Sequence, residues 1–256
     1  MQELWRYKDL FYFLVWRDIK TRYAQSVLGI GWAVIQPVFS MIVFTIVFGN
    51  LAKIDSNGVP YAIFSFTALV PWTYFAGSLS ASSGSLLSAS GMMTKVYFPR
   101  LIIPLAPVLS KLIDFFIALI LLAFMMLYFG FTLSIEIIYL PFLILIMMFT
   151  ASGLGMWLTA LSIQYRDINY GMAFFVQLLM YVAPVVYPAS NVPEAYRTIY
   201  GIFPMAGVIE GFRSILLQTI PMPWDLISTG TIISLVLLIT GSFYFKRMEK
   251  YFADVA

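Results

Sequence analysis

The stretch RDIKTRYAQSVLGIGW, Arg17 to Trp32, places four charged side chains within six positions: Arg17, Asp18, Lys20 and Arg22. From Tyr23 onward no charge appears until Lys53. The uncharged run exceeds the roughly 20 apolar residues a helix needs to cross a hydrocarbon core about 30 Å thick. The stretch therefore reads as a junction, with a charged surface segment ending where a first membrane span begins.

Composition extends that reading to the whole chain. Of 256 residues, 61% are hydrophobic and 11% charged, whereas soluble domains carry roughly 45–50% and about 25%. The mean hydropathy is +0.90. The expectation is an all-α polytopic membrane protein, because lipid offers no partners for unpaired backbone groups. The first 22 residues are charged and aromatic and lack a short apolar core with a small-residue cleavage site, so no signal peptide is expected. With neither Cys nor His, disulfides, thiolate nucleophiles and imidazole-based metal or acid–base sites are excluded. The net charge of +3 is small and reads as loop lysines and arginines, not as a nucleic-acid surface.

Six segments have the length and polarity of membrane helices: 27–50, 61–86, 102–130, 137–162, 169–189 and 226–245. With the N-terminus inside, Arg6, Lys8, Arg17, Lys20, Arg22, Lys95, Arg100, Arg166, Lys246, Arg247 and Lys250 lie inside, against Lys53, Arg197 and Arg213 outside. That asymmetry follows the positive-inside rule and puts both termini in the cytoplasm. Residues 190–225 form the one long outer segment. Pro193 and Glu194 suit a helix start. After Pro204, apolar residues recur at Met205, Val208, Ile209, Phe212, Ile215 and Leu216, predicting a helix with one apolar face. Two short helices at or dipping into the outer interface are expected.

Residues 1–22 predict an amphipathic interfacial helix. Leu4, Tyr7, Leu10, Phe11, Leu14 and Val15 share one face, with Arg6, Asp9, Arg17 and Lys20 opposite. The pattern breaks at Asp18 and Arg22, which fall on the apolar side. From Arg17 to Arg22 such a helix is charged all round and needs headgroups, water or another protein. Snorkelling anchors before a first span are the simpler alternative.

The order of these residues resembles the opening of the permease subunits of ABC-2 type polysaccharide exporters, the O-antigen, capsule and teichoic-acid permeases. Their pattern is close to R-[DE]-[IL]-K-x-R-Y-x-x-S-x-L-G-x-x-W-x-x-x-x-P. Here it is met by Arg17, Asp18, Ile19, Lys20, Arg22, Tyr23, Ser26, Leu28, Gly29, Trp32 and Pro37. KVYFPR (95–100), YRDI (165–168), PVVYP (184–188), FPMAGVIEGFR (203–213) and FKRMEKYFADV (245–255) resemble later segments of the same family in the same order. One departure is Phe203-Pro204, where many members have Asn-Pro.

The resemblance implies a multi-pass subunit of the bacterial cytoplasmic membrane. Two copies would form a path for a lipid-linked polysaccharide, O-antigen first among the candidates, and two cytoplasmic ATPase subunits would drive it. The chain has no G-x-x-x-x-G-K-[ST] phosphate loop, so Mg-ATP is expected on the partner, with no cofactor, metal or catalytic residue in this chain. The expected ATPase-coupling surface is Arg17, Asp18, Lys20 and Arg22, the loop with Lys95, Phe98 and Arg100, and Tyr165, Arg166 and Asp167. Loop 88–100 is the expected coupling helix, stopped by Pro99 and Pro104.

A glycan path needs aromatic and polar faces. Trp32, Gln36, Phe39 and Ser40 in span one, and Tyr170, Phe174, Gln177 and Tyr181 in span five, recur at helical steps. Gln and Tyr are costly in lipid, so these faces are expected to point into protein or a pore. Aromatic packing and interfacial belts are the alternative. Lys111 and Asp114, three apart within span three, read as a structural pair. A proton-coupled transporter or flippase would use such a pair differently, but no inverted repeat is evident. A membrane glycosyltransferase would need clustered carboxylates, and the outer acidic residues are thinly spread.

Overall fold

The computed structural model describes residues 6–24, 29–93, 98–165 and 167–251, and all regular structure among them is helical. Helix α1, Lys8–Tyr23, precedes a tight turn, Gly29–Gly31. Gly29 sits at φ +48°, with nothing near the position a Cβ would take. Its requirement is the left-handed backbone of the turn.

Span one is helix α2, Trp32–Phe44, prolonged to Leu51 by wider turns. Span two is α3, Tyr61–Ser83. Span three is the pair α4, Ile102–Ser110, and α5, Leu112–Phe129, joined at Lys111 and closed by Gly130 in a left-handed cap. Span four is α6, Leu140–Gln164, entered through a short helical turn, Ile135–Tyr139. Helix α7 is Asp167–Val182. Helices α8, Glu194–Tyr200, and α9, Pro204–Leu217, meet at 109°. The last span is α10, Trp224–Met248.

Among the described residues, five helices are long and apolar enough to cross a membrane, or six if the bent pair α8–α9 is one span. The expected fifth span, 169–189, is the one that differs. Its helix stops at Val182 after 16 residues, about 24 Å at 1.5 Å per residue. Pro184 and Pro188 explain the stop, since a proline removes a backbone donor and disfavours helix in the residue before it. Irregular backbone is tolerated at membrane depth only when protein surrounds it, and Ala183, Val185 and Val186 are buried.

Span two is the hub. It packs against α2, both halves of span three, α6, α7 and α9, and 78% of its apolar stretch is buried, against 6% for span one. Serine and threonine hydroxyls fasten its end. Ser82 donates to the Pro104 carbonyl at 2.8 Å, Thr159 to the Ser82 carbonyl at 2.7 Å, and Ser162 to the Ser83 carbonyl at 2.8 Å. Such bonds and small residues hold helices together where no hydrophobic force acts between them. Spans four and six approach so closely that a Cβ on Gly241 would overlap the Gly153 carbonyl.

Two elements are more enclosed by protein than their periodicity suggests. The apolar face of α1 is covered from within the chain: Leu14 is buried, with Tyr7, Leu10 and Phe11 partly buried against Ile102 and Ala106 at the start of span three. The exposed aromatics are instead Tyr12, Phe13 and Trp16; Leu4 lies outside the described residues. Of the two arrangements expected for the outer helices, lying at the interface or dipping inward, α9 fits the second, because all 14 of its residues are buried. Gly207 abuts the backbone of Leu226, and Gly211 abuts Leu143, so its second face is small enough to be covered as well.

Candidate functional site

The basic end of the bundle carries α1, Arg100 and the C-terminal end of α10. There α1 folds its broken side onto the protein. Arg22 donates to Asp114 Oδ2 at 3.0 Å and to Ser110 Oγ at 3.1 Å. Lys111 reaches the same Oδ2 at 2.9 Å, and the Tyr23 hydroxyl donates to Asp114 Oδ1. One carboxylate thus holds two cations and a phenol, with side chains 20–24% exposed. Burial first, and then the Asp114 carboxylate, push the Tyr23 hydroxyl up to about 12. The expected Lys111–Asp114 pair is there, and the first helix completes it.

This contact answers why Arg22 interrupts the apolar stripe. Leu14, Arg17, Asp18, Thr21 and Arg22 line a pocket of about 490 Å³, whose other wall is the end of span two and the start of span three, including Ser85, Ser88 and Pro107. Arg17 pairs with its neighbour Asp18 at 3.0 Å, and Lys20 lies 5.7 Å from the Trp16 ring centre. Both Arg17 and Lys20 remain exposed.

The other expected coupling residues divide. Phe98 is buried with Leu86, Ala89, Ile103 and Phe245, so it anchors its loop and presents no side chain to a partner. Arg100 turns to the tail and donates to the Glu249 carbonyl at 3.1 Å. Tyr165 and Asp167 are exposed. Lys95 and Arg166 lie outside the described residues. Of the expected coupling loop, 88–100, the structure describes a short helical turn, Ser90–Met93, following Ser85–Ser88; residues 94–97 lie outside the described residues.

The two expected path faces are open in the single chain. Trp32, Gln36 and Phe39 are exposed on α2 and Ser40 is half-buried; Tyr170, Phe174, Gln177 and Tyr181 are exposed on α7. Only Met172 of α7 and Pro37 of α2 are buried. Both helices pack on span two. A face carrying glutamine and exposed at membrane depth is costly against lipid, so each face calls for water, a polar ligand or another chain.

At the opposite end lies a feature the sequence reading did not isolate. Arg213 and Glu210, one turn apart on α9, pair at 2.7 Å with side chains 0% and 2% exposed. Arg213 also donates to the carbonyls of Tyr187 at 3.2 Å and Val185 at 3.0 Å, and its guanidinium lies 3.6 Å from the Phe64 ring centre. Glu210 accepts from the Ala189 amide at 3.1 Å, and the Tyr61 hydroxyl donates to the Val186 carbonyl at 2.7 Å. The sequence treats both charges as outer-surface residues. The available signal was the glycine pair Gly207 and Gly211 opposite the apolar stripe, because a helix small on one side and apolar on the other is buried all round.

Comparison with known proteins agrees with this architecture. The family described as ABC-2 type transporter matches residues 9–217. An O-antigen export system permease protein RfbA from Myxococcus xanthus is 26% identical, covering 99% of this chain and 98% of the relative. A Klebsiella pneumoniae protein of the same name is 24% identical over 96% of this chain and 95% of its own length. The polysialic acid transport protein KpsM of Escherichia coli is 19% identical, covering 91% of each.

Proposed function

Since the chain belongs to the ABC-2 type transporter family, we propose that it is the membrane permease subunit of an exporter of lipid-linked polysaccharide, with O-antigen the first candidate. The observation that carries this reading is the pair of open faces on α2 and α7, supported by near-full-length similarity to O-antigen export permeases. Two copies of the chain enclose the path, so that Gln36 and Gln177 meet water and sugar hydroxyls, while Trp32, Phe39, Tyr170, Phe174 and Tyr181 offer rings to the C–H faces of sugars. Helix α7, with its irregular continuation, then completes a sixth crossing.

The basic end is cytoplasmic in this reading, with both termini inside. A separate ATPase subunit docks there, against Arg17, Asp18, Lys20 and the pocket beside Arg22, and against Tyr165 and Asp167. Because Arg22 is tied to Asp114, force applied to α1 reaches span three directly. Helix α1 lies at the membrane surface with Tyr12 and Trp16 toward lipid.

Membrane vesicles containing the chain, with and without its ATPase partner, test the function. Export of lipid-linked glycan requires the partner and ATP and survives collapse of the proton gradient. Export that persists without the partner and stops with the gradient overturns the proposal in favour of a proton-coupled transporter.

A further inference from the structure

Arg213 and Glu210 lie away from both open faces, yet a continuous set of bonds joins them to one. Arg213 holds the Tyr187 carbonyl. The Tyr187 hydroxyl in turn donates to the carbonyls of Tyr181 at 3.0 Å and Val182 at 3.3 Å. These are among the last carbonyls of α7, which have no partner within the helix. The chain between them is irregular, and side chains from α3 and α9 bind its polar groups: Arg213 takes the Val185 and Tyr187 carbonyls, Tyr61 the Val186 carbonyl, and Glu210 the Ala189 amide. Prolines at 184 and 188 deprive this segment of helical bonds, so those side chains fix where it runs.

We propose that Arg213 and Glu210 are positioning residues for the outer end of the glycan path. They act through Tyr187, which caps α7 and sets the direction in which Tyr181 faces the path; neither charge touches the glycan. The inference rests on the path assigned to α7 above. It accounts for a buried ion pair in a helix that other packing already secures, and for a guanidinium clamped on three sides by Glu210, two backbone carbonyls and the face of Phe64. Lysine cannot reproduce it, because a single ammonium lacks the planar fork that reaches two carbonyls and a carboxylate together.

The chain contains no cysteine, so Tyr181→Cys introduces a lone thiol. The hydrogen bond from Tyr187 falls on the backbone of residue 181 and survives that change. The test uses the full chain assembled with its ATPase partner in membranes, with a membrane-impermeant maleimide added from the outer side. Arg213→Lys and Tyr187→Phe, each combined with Tyr181→Cys, shift the labelling rate in the same direction by about three- to tenfold, the range set by loss of one hydrogen bond. Assembly with the partner and basal ATP hydrolysis persist in Tyr187→Phe. Each substitution alone, without the cysteine, slows glycan export by a similar factor.

Wild-type labelling in Tyr187→Phe overturns the relay whatever Arg213→Lys does, and it keeps the test decisive if Arg213→Lys fails to assemble. Labelling does not depend on export. A labelling shift in a complex that moves no glycan therefore supports the relay and removes the export reading, whereas export with unshifted labelling removes the relay alone.

Discussion

The two ion clusters at opposite ends of the bundle solve different problems with similar residues. At the basic end, Asp114 is shared by Arg22, Lys111 and Tyr23, with side chains about one-fifth exposed. At the far end Arg213 and Glu210 are sealed from solvent. The first cluster joins a peripheral helix to a span and stays within reach of water and of a partner. The second ties an unwound segment to a helix buried on all sides. Exposure sets what each interaction is worth, because removing one partner of a sealed pair strands a charge, whereas exposed pairs are screened and individually weak.

The largest effect is expected at the sealed pair. Arg213→Met leaves Glu210 charged and buried, and should cost about 3–5 kcal/mol, visible as a lower yield of folded protein and a lower melting temperature in detergent. The double substitution Arg213→Met with Glu210→Leu should recover much of that loss, since an apolar pair of similar volume is often neutral or better. Recovered stability without recovered export would separate folding from positioning. A double variant as unstable as the single one would show that the carbonyls of Val185 and Tyr187 need the guanidinium for folding itself.

At the shared cluster, Asp114→Asn should cost less, about 1.5–3 kcal/mol, the scale of hydrogen bonds to charged groups. It should also loosen α1, so that protease cleavage near Arg17 accelerates while the rest of the bundle stays resistant. Unchanged proteolysis would mean that Leu14 and Phe11 alone hold α1 against span three.

Smaller again is the alkaline dependence. The Tyr23 hydroxyl is raised in the folded chain to about 12, from 10.0, so folding favours the protonated phenol. Its contribution is complete below pH 10 and is lost as pH rises toward 12. Melts across that window should fall less steeply in Tyr23→Phe than in wild type. Parallel curves would remove Tyr23 from the cluster's energetics. The smallest effect belongs to the exposed Arg17–Asp18 pair, where Arg17→Ala should shift stability by less than about 0.5 kcal/mol while weakening ATPase association in a salt-dependent manner.

Most spans are legible in the sequence because membrane thickness fixes their length. Spans two, three, four and six begin or end within a few residues of the apolar runs that announce them. The fifth is not, because hydropathy does not register that Pro184 and Pro188 end a helix while leaving the chain buried. Periodicity identifies the apolar face of α1 correctly but not what covers it. Ile102 and Ala106 take that face, and nothing local distinguishes a protein neighbour from lipid. Arg22 is legible as part of a charged cluster, and Asp114 as a buried charge, but their meeting joins positions 92 residues apart. Glutamine and aromatic spacing marks the faces of α2 and α7, and the single chain leaves both open; what they meet lies beyond the chain itself.

The proposed export path requires those two faces to be wet. Single thiols introduced as Gln36→Cys, Gln177→Cys and Phe124→Cys into this cysteine-free chain test this, Phe124 being exposed as well, on span three beside Phe116, Ile120 and Leu127. In the assembled complex, a water-soluble maleimide should label positions 36 and 177, lipid-linked glycan should protect both, and position 124 should stay unlabelled. Thiols at 36 and 177 as inert as the one at 124 would place both faces in lipid and rule out a path between them.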